Sequence, residues 1–220
     1  MEMMELMRSR HSVRQYKTDP IEQDKRETLL SCLDNCNKEG KLHLQLMFDE
    51  PKCFDSILAH YGKLINVNNY IAMVGRKADD LEQRIGYYGE RMVIEAQKLG
   101  LNTCWVALSY AREKCVAEIG TGERLVCVIS LGYGATQGIP HRSKDISELF
   151  KLEGEAPSWF SIGMEAAMLA PTAMNQQKFK ISLVDGQAYI KSGSGIYTKI
   201  DLGIVRSDFE ASSGKLLIER

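Results

Sequence analysis

WFSIGMEAAMLAPTAMNQQKFKISLVDGQAYIK, residues 159–191, restarts a pattern that the chain has already used once. Trp159–Leu169 reads as a helix that Pro171 ends. Phe179, Ile181 and Leu183 then alternate as one face of a half-buried strand. Asp185-Gly186 supplies a hairpin turn before Ala188–Ile190 returns. Residues 200–212 read as a further helix. The same order runs through residues 20–100. There Pro20 opens a helix over 20–38 with Leu29, Leu30, Leu33 and Cys36 as its apolar stripe and Gly40 as its stop. Leu42, Leu44, Leu46 and Phe48 alternate, and Tyr70–Val74 is an apolar strand. Residues 79–99 follow as a helix, with Leu81, Ile85, Tyr88, Met92, Ala96 and Leu99 recurring at spacings of three and four and Gly100 as cap. The repetition reads as a degenerate internal duplication: a first copy over 1–150 and a truncated second copy over 151–220, packed together as one globular unit.

The remaining stretches are read from the same signals. Residues 1–14 form a short amphipathic helix on Met3, Met4 and Met7 that runs into the basic cluster RSRHSVR. Residues 49–69 are a loop with a short helix. Thr103–Ala107 and Leu125–Leu131 are buried strands, with a helix around 111–118 between them. Residues 132–145 are a glycine-rich loop and 151–157 a linker. Gly86 and Gly89 lie inside the 79–99 helix, where each costs about 1 kcal/mol against alanine, so another backbone is expected to pack closely there.

Composition narrows the function classes. The chain has 220 residues, with 28 Lys and Arg against 29 Asp and Glu. That balance argues against duplex nucleic acid or an anionic membrane as the main partner. No apolar run approaches the roughly 18 residues of a spanning helix, and the first residues lack signal-peptide order. The expected compartment is the cytoplasm. Six cysteines show no CxxC and no histidine pair at zinc spacing, which reads as buried free thiols, with a metal or a redox pair as the alternative. Cys32 and Cys36, four apart, share a helix face. No GxSxG, HExxH, GxGxxG or GxxxxGK[ST] is present, so hydrolase, Rossmann and P-loop chemistry are disfavoured. His43, on an alternating strand, is read as exposed or hydrogen-bonded.

Four stretches carry usable chemistry. Arg10-His11-Ser12-Val13-Arg14 sets a hydroxyl between two guanidinium forks; it suits a phosphate monoester, or is a solvated basic cluster. Ala170-Pro171-Thr172-Ala173-Met174-Asn175-Gln176-Gln177 follows a helix breaker with small residues and amides. Such a loop can approach a flat heterocycle, or is simply polar. Gly100–Val106 enters a buried strand with Cys104, Trp105 and Val106, where a core tryptophan is the plain reading. Gly132-Tyr133-Gly134 is followed by the basic residues Arg142 and Lys144.

Taken together, these stretches resemble the nitroreductase family of FMN-dependent oxidoreductases. RHSVRQY at 10–16 resembles the family's RxSxR phosphate signature. APTAMNQQKF at 170–179 resembles its APSxxNxQPW signature beside the flavin ring. KLGLNTCWVA at 98–107 and LVCVISLGYGATQGIPHRSK at 125–144 resemble its LGLGTCW segment and late strand. The order is unusual, because the ring signature stands in the second copy and is missing from CLDNCNKEGKLHLQL, its customary place. Thr172 replaces the signature's serine, and Lys178-Phe179 replaces its Pro-Trp.

The resemblance implies an α+β nitroreductase-like fold, a mixed or antiparallel sheet flanked by helices. It implies FMN as cofactor, with Arg10, His11, Ser12, Arg14 and Arg142 at the phosphate. Cys104, Trp105 and Val106 would lie near the flavin, and Pro171, Thr172, Ala173, Asn175 and Gln177 would border the ring. No side chain need act as catalytic acid or base, since the cofactor carries the chemistry. NAD(P)H and a small electron acceptor, a nitroaromatic or a quinone, are the implied partners. The family's homodimer draws the two signatures from different subunits; the duplication supplies both from one chain. A monomeric pseudo-dimer with one FMN is therefore expected, as in an internally duplicated, thermophile-type member. The alternatives are an FMN carrier or sensor without turnover, and an interaction module without flavin.

Overall fold

A computed structural model describes residues 2–151 and 155–220, and the chain divides into two compact units. The first unit comprises Arg10–Leu81 and Arg91–Ile139; the second comprises Met1–Ser9, Glu82–Glu90 and Pro140–Arg220. In chain order the first half carries α1 (Met3–Ser9), α2 (Gln23–Gly40), β1 (Gln45–Met47), α3 (Ile57–Tyr61), β2 (Asn69–Arg76) and α4 (Leu81–Lys98). Then come β3 (Asn102–Val106), β4 (Glu123–Gly132), α5 (Ile146–Leu149), β5 (Phe150–Lys151) and α6 (Ser158–Leu169). The chain finishes with β6 (Phe179–Val184), β7 (Gln187–Ser192), α7 (Thr198–Ser213) and β8 (Leu217–Glu219). The architecture is the expected α+β class. The linker expected at 151–157 falls partly on 152–154, outside the described residues.

The first unit is built on an antiparallel sheet of order β1-β2-β4-β3. Its two central strands are apolar runs rather than alternations, because both faces are covered: β2 is buried from Asn69 to Gly75 and β4 from Leu125 to Gly132. The strand expected over Leu42–Phe48 is shortened to Gln45–Met47, although the His43 N–H already donates to Val74 O at 3.0 Å. The side-chain amide of Asn37 takes both the N–H of Leu44 (2.6 Å) and its carbonyl (2.9 Å), so Leu44 is buried but not paired with a neighbouring strand. Gly40 is the last residue of α2, and the left-handed residue that ends the helix is Lys41, with φ 49°. Leu30 falls out of the predicted stripe at 41% exposure, while Leu29, Leu33 and Cys36 are buried.

The helix expected at 111–118 is a single 3₁₀ turn, Arg112–Lys114. Tertiary partners take its groups. The N–H of Ala111 donates to Cys53 O at 2.8 Å, and the Arg112 guanidinium donates to the carbonyls of Leu125 and Val126 on β4.

The second unit packs α6 against α7 over an aromatic contact, with the Phe160 and Phe209 rings 6.0 Å apart. Its sheet has the order β5-β6-β7-β8, with a central β6–β7 hairpin. The turn is the predicted one, with Asp185 at φ 50° and Gly186 at φ 75°, the sign a two-residue hairpin requires. The short strands β5 and β8 pair parallel to it and carry no sequence signal of their own. The close approach expected at Gly86 is present: a Cβ there would stand 2.1 Å from Ile200 O on α7. Gly203 answers it from α7, where a Cβ would stand 2.0 Å from Gln83 O.

Candidate functional site

In the first unit the RHSVR segment runs as an extended strip beside β3. Ser12 bridges Thr103 in parallel, and the Val13 N–H donates to Thr103 O at 3.0 Å. Val13 and Tyr16 point into the core, and the Tyr16 hydroxyl bonds to Ser130 Oγ at 2.8 Å. Between and beside them Ser12 is half-buried and Arg14 exposed. Ser12 hydrogen-bonds the Cys104 thiol, and the charges of Arg14 and Arg10 act on the same sulfur. Burial nevertheless dominates and pushes the Cys104 thiol up, which keeps it a neutral packing group rather than a thiolate. Val106 shares the core face with Cys104, while Trp105 is half-buried between them in sequence.

A loop after β4 closes over this strip. The Lys17 N–H donates to Tyr133 O (2.7 Å), and the Ala135 N–H donates to Gln15 O (2.8 Å). Asn102 Oδ1 accepts the Gly134 N–H at 2.9 Å, and a Cβ on Gly134 would stand 2.6 Å from that oxygen. Gly138, at φ 72°, lies against His11 and the Ser12 carbonyl. Asn102, Gly134 and Gly138 therefore shape the strip; all three lie in the stretches 98–107 and 125–144 quoted above, though none was assigned a site role there. Their role comes from the fold, which sets the first residue of β3 beside the loop after β4.

The donor set suits a phosphate monoester. Arg14 is exposed, and its guanidinium has no hydrogen bond or ion pair among the described residues, so its fork is available to an anion beside the Ser12 hydroxyl. Arg10 is buried, at 5% exposure.

In the second unit the loop 170–177 is held in an unusual shape. Met174, Asn175 and Gln177 all have left-handed backbones, at φ 50°, 54° and 44°. Each costs about 1 kcal/mol or more for a residue other than glycine. The bonds that hold them are specific. Gln177, 2% exposed, donates through Nε2 to Arg142 O (2.9 Å) and Asn175 Oδ1 (2.7 Å), and its Oε1 accepts the Lys144 N–H (2.9 Å). Asn175 Nδ2 also donates to Arg142 O, at 2.8 Å. Thr172 Oγ1 accepts the Gln177 N–H at 3.1 Å. Arg142, Thr172, Asn175 and Gln177 are thus brought together, with the Arg142 side chain exposed. Pro171 and Ala173 are half-buried within the same loop, leaving a small-residue surface for a flat ligand.

The residue that sequence reasoning missed is Asp201, in the first turn of α7. It is 4% exposed, and it accepts the Ala173 N–H (2.8 Å) and the Gln176 side-chain amide (2.7 Å). Burial pushes its carboxyl up to about 6, against the pull of those two donors.

Comparison with known proteins adds the family. The model of the family described as "Putative TM nitroreductase" matches residues 2–213. A "putative nitroreductase" of Thermotoga maritima has a similar fold, with a TM-score of 0.68 at 23% identity, over 96% of this chain and 83% of that one. A "putative nitroreductase in complex with FMN" from a Desulfovibrio desulfuricans subspecies gives 0.56 at 17% identity, over 71% of this chain and 99% of that one. A "putative NADH dehydrogenase/NAD(P)H nitroreductase" of Bacteroides thetaiotaomicron gives 0.53 at 21%, over 67% and 95%. No curated protein matches the sequence.

Proposed function

We propose, from the premise that this chain belongs to the nitroreductase family matched over residues 2–213, that it is an FMN-dependent enzyme using NAD(P)H to reduce a small organic acceptor such as a nitroaromatic or a quinone. The carrying observation is the strip beside β3, where the half-buried Ser12 and the exposed Arg14 both act on the Cys104 thiol. Support also comes from the FMN named with the Desulfovibrio structure and from the NAD(P)H nitroreductase name, given as putative, of the Bacteroides one.

When bound, the flavin supplies the two-electron hydride chemistry, so the side chains bind and orient rather than exchange protons. Arg10, Ser12 and Arg14 would hold the phosphate by charge-assisted bonds, with His11 flanking them and Arg142 as a further phosphate contact. Cys104, Trp105 and Val106 would lie near the cofactor. Pro171, Thr172 and Ala173 would border the ring, in a loop whose shape Asn175 and Gln177 maintain. The proposed stoichiometry is one FMN per chain, in an internally duplicated polypeptide that needs no second copy.

The experiment is FMN release and quantification from purified protein, followed by NAD(P)H oxidation with a quinone present. About one FMN per chain with acceptor-dependent oxidation supports the reading. One FMN without turnover makes the protein a flavin carrier or sensor. No flavin, even after FMN is added, overturns the proposal.

A further inference from the structure

A second pair of groups is not among the residues proposed to hold the flavin. Cys53 and Cys115 belong to separate irregular segments of the first unit. The Ala111 N–H to Cys53 O bond, 2.8 Å, draws those segments together. Cys53 is fully buried and Cys115 half-buried. Cys53 and Tyr70 belong to one core cluster against which Cys115 packs, the two thiols act on each other, and the Tyr70 hydroxyl lies 3.5 Å from Cys115 Sγ.

The surroundings divide the two thiols. The Cys53 hydrogen bond, the Ala117 backbone, Tyr70 and the Arg112 charge together hold the Cys115 thiol below its ordinary range, against its burial. Cys53 is pushed up, first by its bond to Cys115 and then by burial. Burial likewise keeps Tyr70 a protonated phenol, able to donate to a thiolate at Cys115. The half-buried Cys115 is the one that a small oxidant can reach, and a fully buried thiol stands behind it, which is the arrangement of an attacking and a resolving thiol.

We propose that Cys53 and Cys115 are a peroxide-oxidisable dithiol, in which Cys115 is attacked first and Cys53 closes a disulfide. The Cys115 thiolate attacks one peroxide oxygen, and the O–O bond breaks. Cys115 becomes a sulfenic acid, and the departing hydroxide or alkoxide takes a proton from solvent. Cys53 then gives up its proton and attacks the Cys115 sulfur. The S–O bond breaks, and hydroxide leaves with that proton as water. Two electrons pass from the two thiols to the peroxide.

Cys32 and Cys36 provide an internal contrast. They too are hydrogen-bonded to each other, but both sit on α2 at i and i+4. Cβ atoms so placed are about 5–6 Å apart, beyond the roughly 4 Å a disulfide needs, so this pair is not expected to close.

The test uses the full chain, reduced and then treated with hydrogen peroxide. Remaining thiols are alkylated and the peptides are mapped by mass. The expected product joins the Cys53 and Cys115 peptides, two hydrogen atoms lighter than their sum, and dithiothreitol reverses it. In Cys53→Ala, dimedone should capture a sulfenic acid at Cys115; in Cys115→Ser, Cys53 should stay reduced. The wild-type map decides the matter if Cys53→Ala does not fold. Cys53 and Cys115 both alkylated after peroxide has oxidised other cysteines would overturn the proposal, as would a wild-type dimedone adduct at Cys115 with no cross-link to Cys53.

Discussion

The Asp201 carboxylate accepts the backbone N–H of Ala173 at 2.8 Å, and so ties the first turn of α7 to the loop that carries the ring signature. Its second oxygen takes the Gln176 amide at 2.7 Å. A buried carboxylate with two neutral donors and no counter-ion bonded to it among the described residues is an expensive anchor, and its carboxyl stands raised to about 6 from 3.8.

The sign of the resulting pH dependence follows directly. Between the unfolded value near 4 and the folded value near 6 the native state binds the extra proton, so stability falls as pH rises through that window. Above it, ionised Asp201 costs on the order of 3 kcal/mol. Asp201→Asn keeps an acceptor for Ala173 without the charge. Its melting temperature relative to wild type should therefore rise between pH 4 and pH 7. A difference that does not change with pH would show that Asp201 does not titrate in this range.

Gly86 gives a test of opposite logic. Helix propensity alone favours alanine by about 1 kcal/mol. The Ile200 carbonyl, 2.1 Å from the position of the missing Cβ, is backbone and cannot rotate away. Gly86→Ala should therefore destabilise by about 2–3 kcal/mol, a fall of about 5–10 °C in melting temperature. A variant as stable as wild type would show that α7 gives way.

How much of this was legible in the sequence depended on whether the cause was local. Asp185-Gly186 announced its turn because those residues tolerate positive φ, and Gly86 announced a close neighbour because a helix does not otherwise favour glycine. The strand β8, Leu217–Glu219, was not legible, since three residues become a strand only where β7 offers an edge. The segment 111–118 carried a helical pattern, but Arg112 reaches the carbonyls of β4 and overrides it. The site divides the same way. The RxSxR and APTAMNQ residues were readable as motifs. Asp201 was not, because its role exists only once α7 lies beside the loop.

Gln177 shows a motif residue at work on the backbone. Its amide holds the Arg142 carbonyl and the Lys144 N–H, and these two basic residues are the points at which trypsin would cut. Gln177→Ala removes both bonds and leaves only Asn175 on the Arg142 carbonyl. Local opening should become easier, and native-state cleavage after Arg142 or Lys144 should accelerate several-fold, roughly 3–10 times, as expected for losing one or two net hydrogen bonds. Unchanged cleavage, with the melting temperature also unchanged, would mean that the 142–144 segment is held by other contacts.

Arg14 separates a ligand role from a structural one. Its guanidinium is exposed and bonded to no described residue, so Arg14→Ala should leave the melting temperature of the flavin-free protein within about 1 °C of wild type. Loss of a charge-assisted phosphate contact at an exposed position is worth about tenfold in affinity, so the FMN dissociation constant should rise by about that factor. Arg14→Lys should fall between the two, because lysine keeps the charge but not the fork. Riboflavin, which lacks the phosphate, should bind wild type and Arg14→Ala equally. Equal FMN affinity across the three proteins would remove Arg14 from the phosphate site, whereas a loss shared by FMN and riboflavin would assign it to shaping the strip rather than to meeting the anion.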